Sequence, residues 1–183
     1  MLLYLIRHPQ LCDASGLCYG RRDLGVNPQS VDEVAQAVRE RIPHAALGGA
    51  LFSSPATRCM MLARELAAPH EPAIAEDLME MSFGAWEGRL WDDLPREELD
   101  AWADDVWNYR PGGAESAAMV AQRWARWSSS MRESAHGTAV AVTHAGFIRV
   151  ALTCAGLLHG ATFSKESIEF GSVHCIELAR GEA

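Results

Sequence analysis

The chain alternates short apolar runs with longer amphipathic stretches, and three of the apolar runs stop abruptly on polar side chains. These runs are residues 2–6, which stop at Arg7-His8, residues 49–52, which stop at Ser53-Ser54, and residues 138–142, which stop at Thr143-His144. Apolar runs of this length without helical period predict buried strands. Their terminal polar residues are expected to emerge at one edge of a sheet.

Apolar residues recur at helical spacing between these runs and predict the helices that connect the strands. The predicted helices span residues 28–42, 56–67, 117–133 and 147–157. Alternation of strands and helices predicts an α/β fold, a three-layer α/β/α sandwich around a mostly parallel sheet. Residues 73–75 predict a short strand, and the alternating residues 172–178 predict an antiparallel edge strand.

The sequence predicts a single domain over residues 1–183, a length that can bury a substantial core. No repeat, low-complexity segment or linker divides it. Residues 86–115 are rich in tryptophan and acids and predict a helical excursion from the sheet that could act as a lid. We expect its aromatic side chains mainly to pack the excursion onto the core, with substrate contact by one or two of them as the alternative.

The composition limits the classes of partner. Hydrophobic residues make up 49% of the chain and the net charge is −8, so a soluble protein without a broad nucleic-acid-binding surface is expected. The first apolar run is interrupted at Arg7, and no stretch reaches the length of a membrane span, which predicts a cytoplasmic protein. The five cysteines include no C-x-x-C pair, which disfavours both a disulfide framework and a cysteine zinc site.

The polar residues at the strand ends form a candidate anion site, because open α/β sheets usually hold ligands at the carboxyl ends of their strands. Arg7 could fix the oxygens of an anion, and His8 could attack or accept a proton. By itself this pair is also compatible with an exposed strand end. Arg58 follows the second strand, where a parallel neighbour would bring it beside Arg7. His144 precedes a helix, whose first N–H groups bind anions.

Two guanidiniums, two imidazoles and a helix amino terminus would together form a phosphate cage that needs no metal ion. The loop at residues 10–27 leaves the first strand directly and would lie over this cage, with the Tyr19-Gly20 backbone as a possible substrate contact. The remaining histidines are predicted to be structural; they are His44, His70, His136, His159 and His174.

Four segments, in this order along the chain, carry a resemblance to a known family. They are Leu5-Ile6-Arg7-His8, Ser53-Ser54-Pro55-Ala56-Thr57-Arg58, residues 78–88, and Val142-Thr143-His144-Ala145-Gly146. They resemble the motifs of the histidine phosphatase superfamily, which contains cofactor-dependent phosphoglycerate mutases and alpha-ribazole phosphatases. Residues 18–24 and 111–116 are most similar to the alpha-ribazole phosphatase branch, which implies a place in cobalamin biosynthesis.

The resemblance implies a role for five residues. His8 would attack phosphorus and become a phosphohistidine, while Arg7, Arg58 and His144 would hold the transferring phosphoryl group. Glu80 would protonate the leaving oxygen and then activate water. The residues by themselves leave the choice of this acid open among Asp77, Glu80 and Glu87.

Three positions depart from the family pattern and concern the periphery of the phosphate site. Pro9 replaces a glycine or threonine and removes one backbone N–H. Ala14 falls where the family usually has an asparagine. Ala145, a possible substrate contact, replaces a common glycine but keeps its N–H.

The leading hypothesis is a histidine-type acid phosphatase, a phosphomonoesterase that needs no metal or other cofactor. Its substrate would be a small phosphorylated metabolite, for example alpha-ribazole 5'-phosphate. The alternatives are a sugar-phosphate mutase, a broad-range phosphatase and a non-catalytic module that binds phosphorylated ligands. Both His8 and Glu80 argue against the last, because a binding module needs neither a nucleophile nor an acid. The sequence predicts no oligomeric state.

Overall fold

A computed structural model describes residues 1–158 and 167–179, which form one five-stranded sheet with helices on both faces. The strands are β1 (Leu2–Arg7), β2 (Ala50–Ser53), β3 (Ala73–Ile74), β4 (Thr138–Thr143) and β5 (Val173–Glu177). The helices are α1 (Pro28–Arg41), α2 (His44–Leu47), α3 (Thr57–Ala67), α4 (Arg96–Asp104), α5 (Ala117–Glu133) and α6 (Ala145–Cys154). His159, for which the sequence predicts a structural role, lies outside the described residues.

The strand order is β3-β2-β4-β1-β5, with every pair parallel except β1 with β5. The predicted mostly parallel sheet with one antiparallel edge strand is therefore confirmed. Arg7 pairs with Thr143 and Ser53 pairs with Val142, so the three central strands end at nearly the same level. The residues that follow them consequently meet at the carboxyl edge of the sheet.

The sheet separates two apolar layers because successive strand residues point to opposite faces. On β1, Leu3 and Leu5 pack against α5 and α6, while Ile6 packs against α1 and α3. β4 alternates in the same way. The central strands are thus buried on both faces, as their continuous apolar sequences predict.

Helix α6 starts two residues earlier than the sequence predicts. His144 is still extended, with φ −128° and ψ 162°, and Ala145 is already helical. Since no loop separates β4 from α6, the first N–H groups of the helix lie directly at the edge of the sheet. Two of these N–H groups bind the carboxylate of Glu80.

The tryptophan-rich segment contains α4 and three short 3₁₀ turns at Gly84–Trp86, Trp91–Asp93 and Pro111–Gly113. Trp86 is buried, and its Nε1–H donates to Glu98 Oε2 at 2.6 Å. Trp91 and Trp102 stack with their ring centroids 6.0 Å apart. These contacts show that the aromatic side chains mainly pack with one another.

In the described part of the chain, no helix is long and apolar enough to cross a membrane.

Candidate active site

Two histidines and an arginine from three different elements come together at the carboxyl edge of the sheet. The ring of His8, after β1, lies 5.3 Å from the ring of His144, after β4, measured between centroids. Arg58 in the first turn of α3 donates from Nε to His144 Nδ1 at 3.3 Å. All three residues are fully buried. The structure therefore brings together residues that lie far apart in the sequence.

Arg7 and Arg58 follow strands that are not neighbours in the sheet. Because β4 lies between β1 and β2, the expectation that these two strands are adjacent is wrong. Arg7 contacts residues near the start of β5: it donates to the Ile168 carbonyl, and its guanidinium lies 3.6 Å from the centroid of the Phe170 ring. It also donates to the Tyr19 hydroxyl at 3.3 Å. The Arg58 guanidinium lies 5.4 Å from the centroid of the Tyr19 ring, so both arginines contact this tyrosine.

The hydrogen bonding of His8 determines which nitrogen is available for chemistry. Nδ1 lies 2.8 Å from the carbonyl oxygen of Pro9. A carbonyl only accepts, so Nδ1 carries the hydrogen and Nε2 keeps its lone pair. Nε2 is buried and has no hydrogen-bond partner among the described residues. The lone pair of this nitrogen is therefore not engaged by any donor among the described residues.

The surroundings of His8 favour its neutral form. Burial makes the largest contribution, and together with the charges of Arg58 and Arg7 it lowers the pKa of His8 from 6.5 to about 3. The hydrogen bond to the Pro9 carbonyl opposes this effect only in part. His8 is consequently uncharged at neutral pH, the state in which an imidazole can attack.

His144 is fixed as a particular neutral tautomer. Arg58 can only donate, so His144 Nδ1 accepts, and the opposite nitrogen, Nε2, donates to Ser54 Oγ at 2.8 Å. Burial, followed by the proximity of the titratable His8 and the charge of Arg58, lowers the pKa of His144 well below its usual value. Ser54 belongs to the motif that includes Arg58, but nothing in the sequence assigned it this contact.

Glu80 binds the amino terminus of α6 with its carboxylate. Oε1 accepts the N–H groups of Met81 at 2.8 Å and Phe147 at 3.2 Å, and Oε2 accepts that of Gly146 at 3.2 Å. A Cβ at residue 146 would lie 2.5 Å from Glu80 Oε1, so this close approach requires glycine. The carboxylate replaces the missing partners of the first helical N–H groups and benefits from the helix dipole.

A cavity of about 240 Å³ joins Glu80 to the other candidate substrate contacts, Tyr19, Gly20 and Ala145. Of the three acids that the sequence leaves open, Glu80 is the one that lines this cavity. Asp77 instead pairs with Arg126 at 2.8 Å, and Glu87 accepts backbone N–H groups of neighbouring loops.

Aromatic side chains form much of the remaining wall of the cavity. Phe83, Trp91 and Trp102 lie there, so two tryptophans of the excursion face the same space as Glu80. The Tyr19 ring lies 6.4 Å from the His8 ring between centroids and connects the cavity with the histidine pair. The arrangement offers an apolar compartment beside a cluster of cationic and imidazole groups.

Within residues 1–158 and 167–179, no three His, Cys, Asp or Glu side chains are grouped so that they could hold a metal ion. All five cysteines are free, and of these Cys59 is buried with its Sγ 3.5 Å from His144 Nε2.

Sequence reasoning missed several residues that surround the site. Phe170 contacts both Arg7 and His8, with its ring centroid 5.6 Å from that of His8. Asp23 accepts the N–H of Thr57 at 3.1 Å and ties the loop of residues 10–27 to the start of α3. No local pattern identifies these partners. For Arg123 the sequence does contain a signal, because this charged residue interrupts an apolar stripe of α5.

Residues 3–183 match the family described as the histidine phosphatase superfamily, branch 1. The chain belongs to this superfamily. No curated protein sequence matches the chain. The resemblance inferred from the four sequence segments is thereby confirmed at the level of the superfamily.

Solved structures of this superfamily share the fold over nearly the whole chain. Alpha-ribazole phosphatase from Shigella flexneri is 24% identical with a TM-score of 0.83, covering 98% of this chain and 92% of that one. Phosphoserine phosphatase from Entamoeba histolytica, in complex with phosphoserine, is 21% identical with a TM-score of 0.81 and the same coverage. Phosphoglycerate mutase from Thermus thermophilus is 25% identical with a TM-score of 0.73, covering 98% and 95%.

Proposed function

We propose that this protein is a phosphomonoesterase that acts through a phosphohistidine on a small phosphorylated metabolite. The observation that carries the proposal is the state of His8: Nδ1 is bound to the Pro9 carbonyl, and Nε2 is buried, neutral and next to His144. Arg7 and Arg58 would bind the oxygens of the phosphoryl group, and His144 would bind them through its Nε2–H, which donates to Ser54 Oγ in this structure. Membership of the superfamily supports this assignment of roles.

In the first step, His8 Nε2 attacks phosphorus and a P–N bond forms while the ester P–O bond breaks. The protonated Glu80 carboxyl gives its proton to the leaving oxygen, which departs as an alcohol. The three N–H groups around Glu80 stabilise the carboxylate that remains.

In the second step, the Glu80 carboxylate takes a proton from water as the water oxygen attacks phosphorus. The P–N bond breaks, inorganic phosphate forms, and His8 returns to its neutral state with the electron pair on Nε2. Glu80 is again protonated, so protons and charges balance over the cycle. In both steps the arginines neutralise the charge on the phosphoryl oxygens, so the proposed reaction needs no metal ion.

The aromatic cavity would hold the organic part of the substrate. Its walls of Phe83, Trp91 and Trp102 favour a planar or apolar group over a small, highly polar one. Alpha-ribazole 5'-phosphate, which carries a ring system, is therefore the first metabolite to test. If that ester is the preferred substrate, we propose that the protein is a cytoplasmic enzyme with a place in cobalamin biosynthesis.

Hydrolysis of p-nitrophenyl phosphate in EDTA tests the proposed reaction. We expect turnover by the wild-type protein and none above background by His8→Ala, because the variant lacks the nucleophile. Arg58→Ala should retain a rate lower by about 10²–10³-fold, as when one oxyanion donor is removed. His44→Ala, a histidine remote from the cavity, is the control. Equal rates for the wild-type protein and His8→Ala would refute the proposal.

The fate of the phosphoryl group separates a phosphatase from a mutase. With a ³²P-labelled ester, a labelled protein that is stable in base and labile in acid should appear and then release label as inorganic phosphate. Transfer of the label to a second hydroxyl of the substrate would favour a mutase. A screen that includes alpha-ribazole phosphate, phosphoserine and 3-phosphoglycerate would then rank the substrates.

A further inference from the structure

The segment that presents Glu80 has no regular secondary structure of its own. Residues 79–83 lie between the 3₁₀ turns Glu76–Leu78 and Gly84–Trp86. Backbone groups outside helices and sheets need other hydrogen-bond partners when they are buried. Here these partners include three charged side chains from distant parts of the chain, namely Arg21, Glu115 and Arg123.

Arg21 contacts Glu80 directly from the loop of residues 10–27. Its Nε donates to the Glu80 carbonyl oxygen at 2.9 Å, and its Nη2 donates to Glu115 Oε2 at 3.0 Å. About a third of the Arg21 side chain is exposed, whereas Glu115 is buried. Arg21 therefore links the backbone of Glu80 to a buried carboxylate.

Glu115 and Arg123 complete the support on the opposite side of the segment. Arg123 makes two hydrogen bonds to Glu115, at 2.8 Å from Nε and 3.0 Å from Nη2, and its Nη1 donates to the Met79 carbonyl at 3.0 Å. Glu115 Oε2 also accepts the N–H of Ser82 at 3.1 Å. The backbone on both sides of Glu80 is thus fixed by the same ion cluster.

The charge of Glu115 is maintained by its partners. Burial by itself raises the pKa of Glu115, but the hydrogen bonds and charge of Arg123, the Ser82 N–H and the charge of Arg21 outweigh it and hold this pKa below its usual value. A doubly hydrogen-bonded arginine–carboxylate pair of this kind is geometrically specific. The cluster can therefore hold the segment in one position.

We propose that Arg21, Glu115 and Arg123 are positioning residues, which hold Glu80 where it can protonate the leaving oxygen. This inference rests on the proposed function, because it assumes that Glu80 is the acid. The effect of Arg21 on the rate should therefore depend on the substrate. Displacement of the acid should slow hydrolysis of esters with poor leaving groups, but not of esters whose leaving group departs without protonation.

The test compares kcat/KM for phenyl phosphate, which has the poorer leaving group, with that for p-nitrophenyl phosphate. Arg21→Met removes both donors from a partly exposed position and should lower the phenyl phosphate value by about tenfold or more. The p-nitrophenyl phosphate value should change by less than about threefold. Glu80→Gln is the reference for loss of the acid. Arg22→Met, the adjacent arginine, is the matched control for charge and should resemble the wild-type protein.

The double variant Glu80→Gln/Arg21→Met should be no slower on phenyl phosphate than Glu80→Gln alone, because a positioning residue has no effect once its target is gone. Glu115→Gln should likewise lower kcat/KM for phenyl phosphate more than that for p-nitrophenyl phosphate. Suppose that Glu80→Gln lowers kcat/KM for phenyl phosphate more than that for p-nitrophenyl phosphate. The positioning role would then be overturned if Arg21→Met lowered both values equally or lowered neither. If Glu80→Gln does not discriminate, the acid assignment in the proposed function fails, and the positioning role with it.

Discussion

Single residues in this site acquire their properties from burial among cations. His8 and His144 are both inaccessible to solvent, and each lies close to the guanidinium of Arg58. Removing an imidazole from water and placing it near positive charge both disfavour the protonated form. The same conditions that would make His8 a nucleophile therefore make the folded protein sensitive to acid.

We expect the protein to lose stability as the pH falls from 6.5 towards 3, because the pKa of His8 is about 3 when folded and 6.5 when unfolded. In this range the unfolded chain binds the proton and the native state does not. Between about pH 7.5 and pH 5, His8 alone should cost about 2 kcal/mol of unfolding free energy. Urea denaturation at both pH values would measure this loss. His8→Gln should lose about 2 kcal/mol less than the wild-type protein, and equal losses would contradict the explanation.

At the scale of elements, two irregular turns next to the Glu80 segment pack closely against each other. The 3₁₀ turn Pro111–Gly113 packs against the turn Gly84–Trp86, which follows the Glu80 segment and begins the tryptophan-rich excursion. Gly112 has φ +58°, and a Cβ there would lie 2.0 Å from the Phe83 carbonyl oxygen. The two turns can approach this closely only because residue 112 has no side chain.

Replacing the two neighbouring glycines should separate backbone strain from this close packing. Gly113 also has a positive φ, +75°, but a Cβ there would meet no atom within 4 Å. Gly113→Ala should cost about 1 kcal/mol for the left-handed conformation. Gly112→Ala should cost about 2 kcal/mol more, because the backbone of the adjacent turn must move. Denaturant unfolding of both variants measures these costs. Similar losses of unfolding free energy would show that the two turns do not depend on the close contact at residue 112.

At the scale of the whole molecule, the site combines residues from all three central strands of the sheet and from α3. The three central strands contribute His8, Ser54 and His144 through their ends, and α3 contributes Arg58. The chain carries a net charge of −8, so attraction of a phosphate depends on this local group of cations. A bound phosphate should therefore stabilise the entire fold.

Inorganic phosphate, the proposed product, should raise the melting temperature. At about 100 times its Kd the gain is about 2.7 kcal/mol, which corresponds to about 5–10 °C for a domain of this size. Differential scanning calorimetry against sodium chloride at equal ionic strength would measure the shift. Arg58→Ala should lose most of it, while His44→Ala should keep it. An undiminished shift in Arg58→Ala would place the phosphate elsewhere.

Much of the fold could be predicted from the sequence, because the elements depend on local patterns. The apolar runs of β1, β2 and β4 and the helical spacing in α5 follow from periodicity alone, and the bounds predicted for α5 and β4 agree closely with the structure. The start of α6 was less predictable, since Ala145 and Gly146 carry no signal that separates a turn from a first helical residue.

The sequence by itself determined the alternation of elements and the identity of the polar residues at the strand ends, since both depend on neighbours along the chain. Only the tertiary structure decided the strand order, which places β4 between Arg7 and Arg58, and the partners of Glu80, which are the N–H groups of α6 and Arg21. Hydrogen bonds and ion pairs between distant segments leave no periodic trace. Their partners are fixed when the core brings the loops together, and so they become visible only in three dimensions.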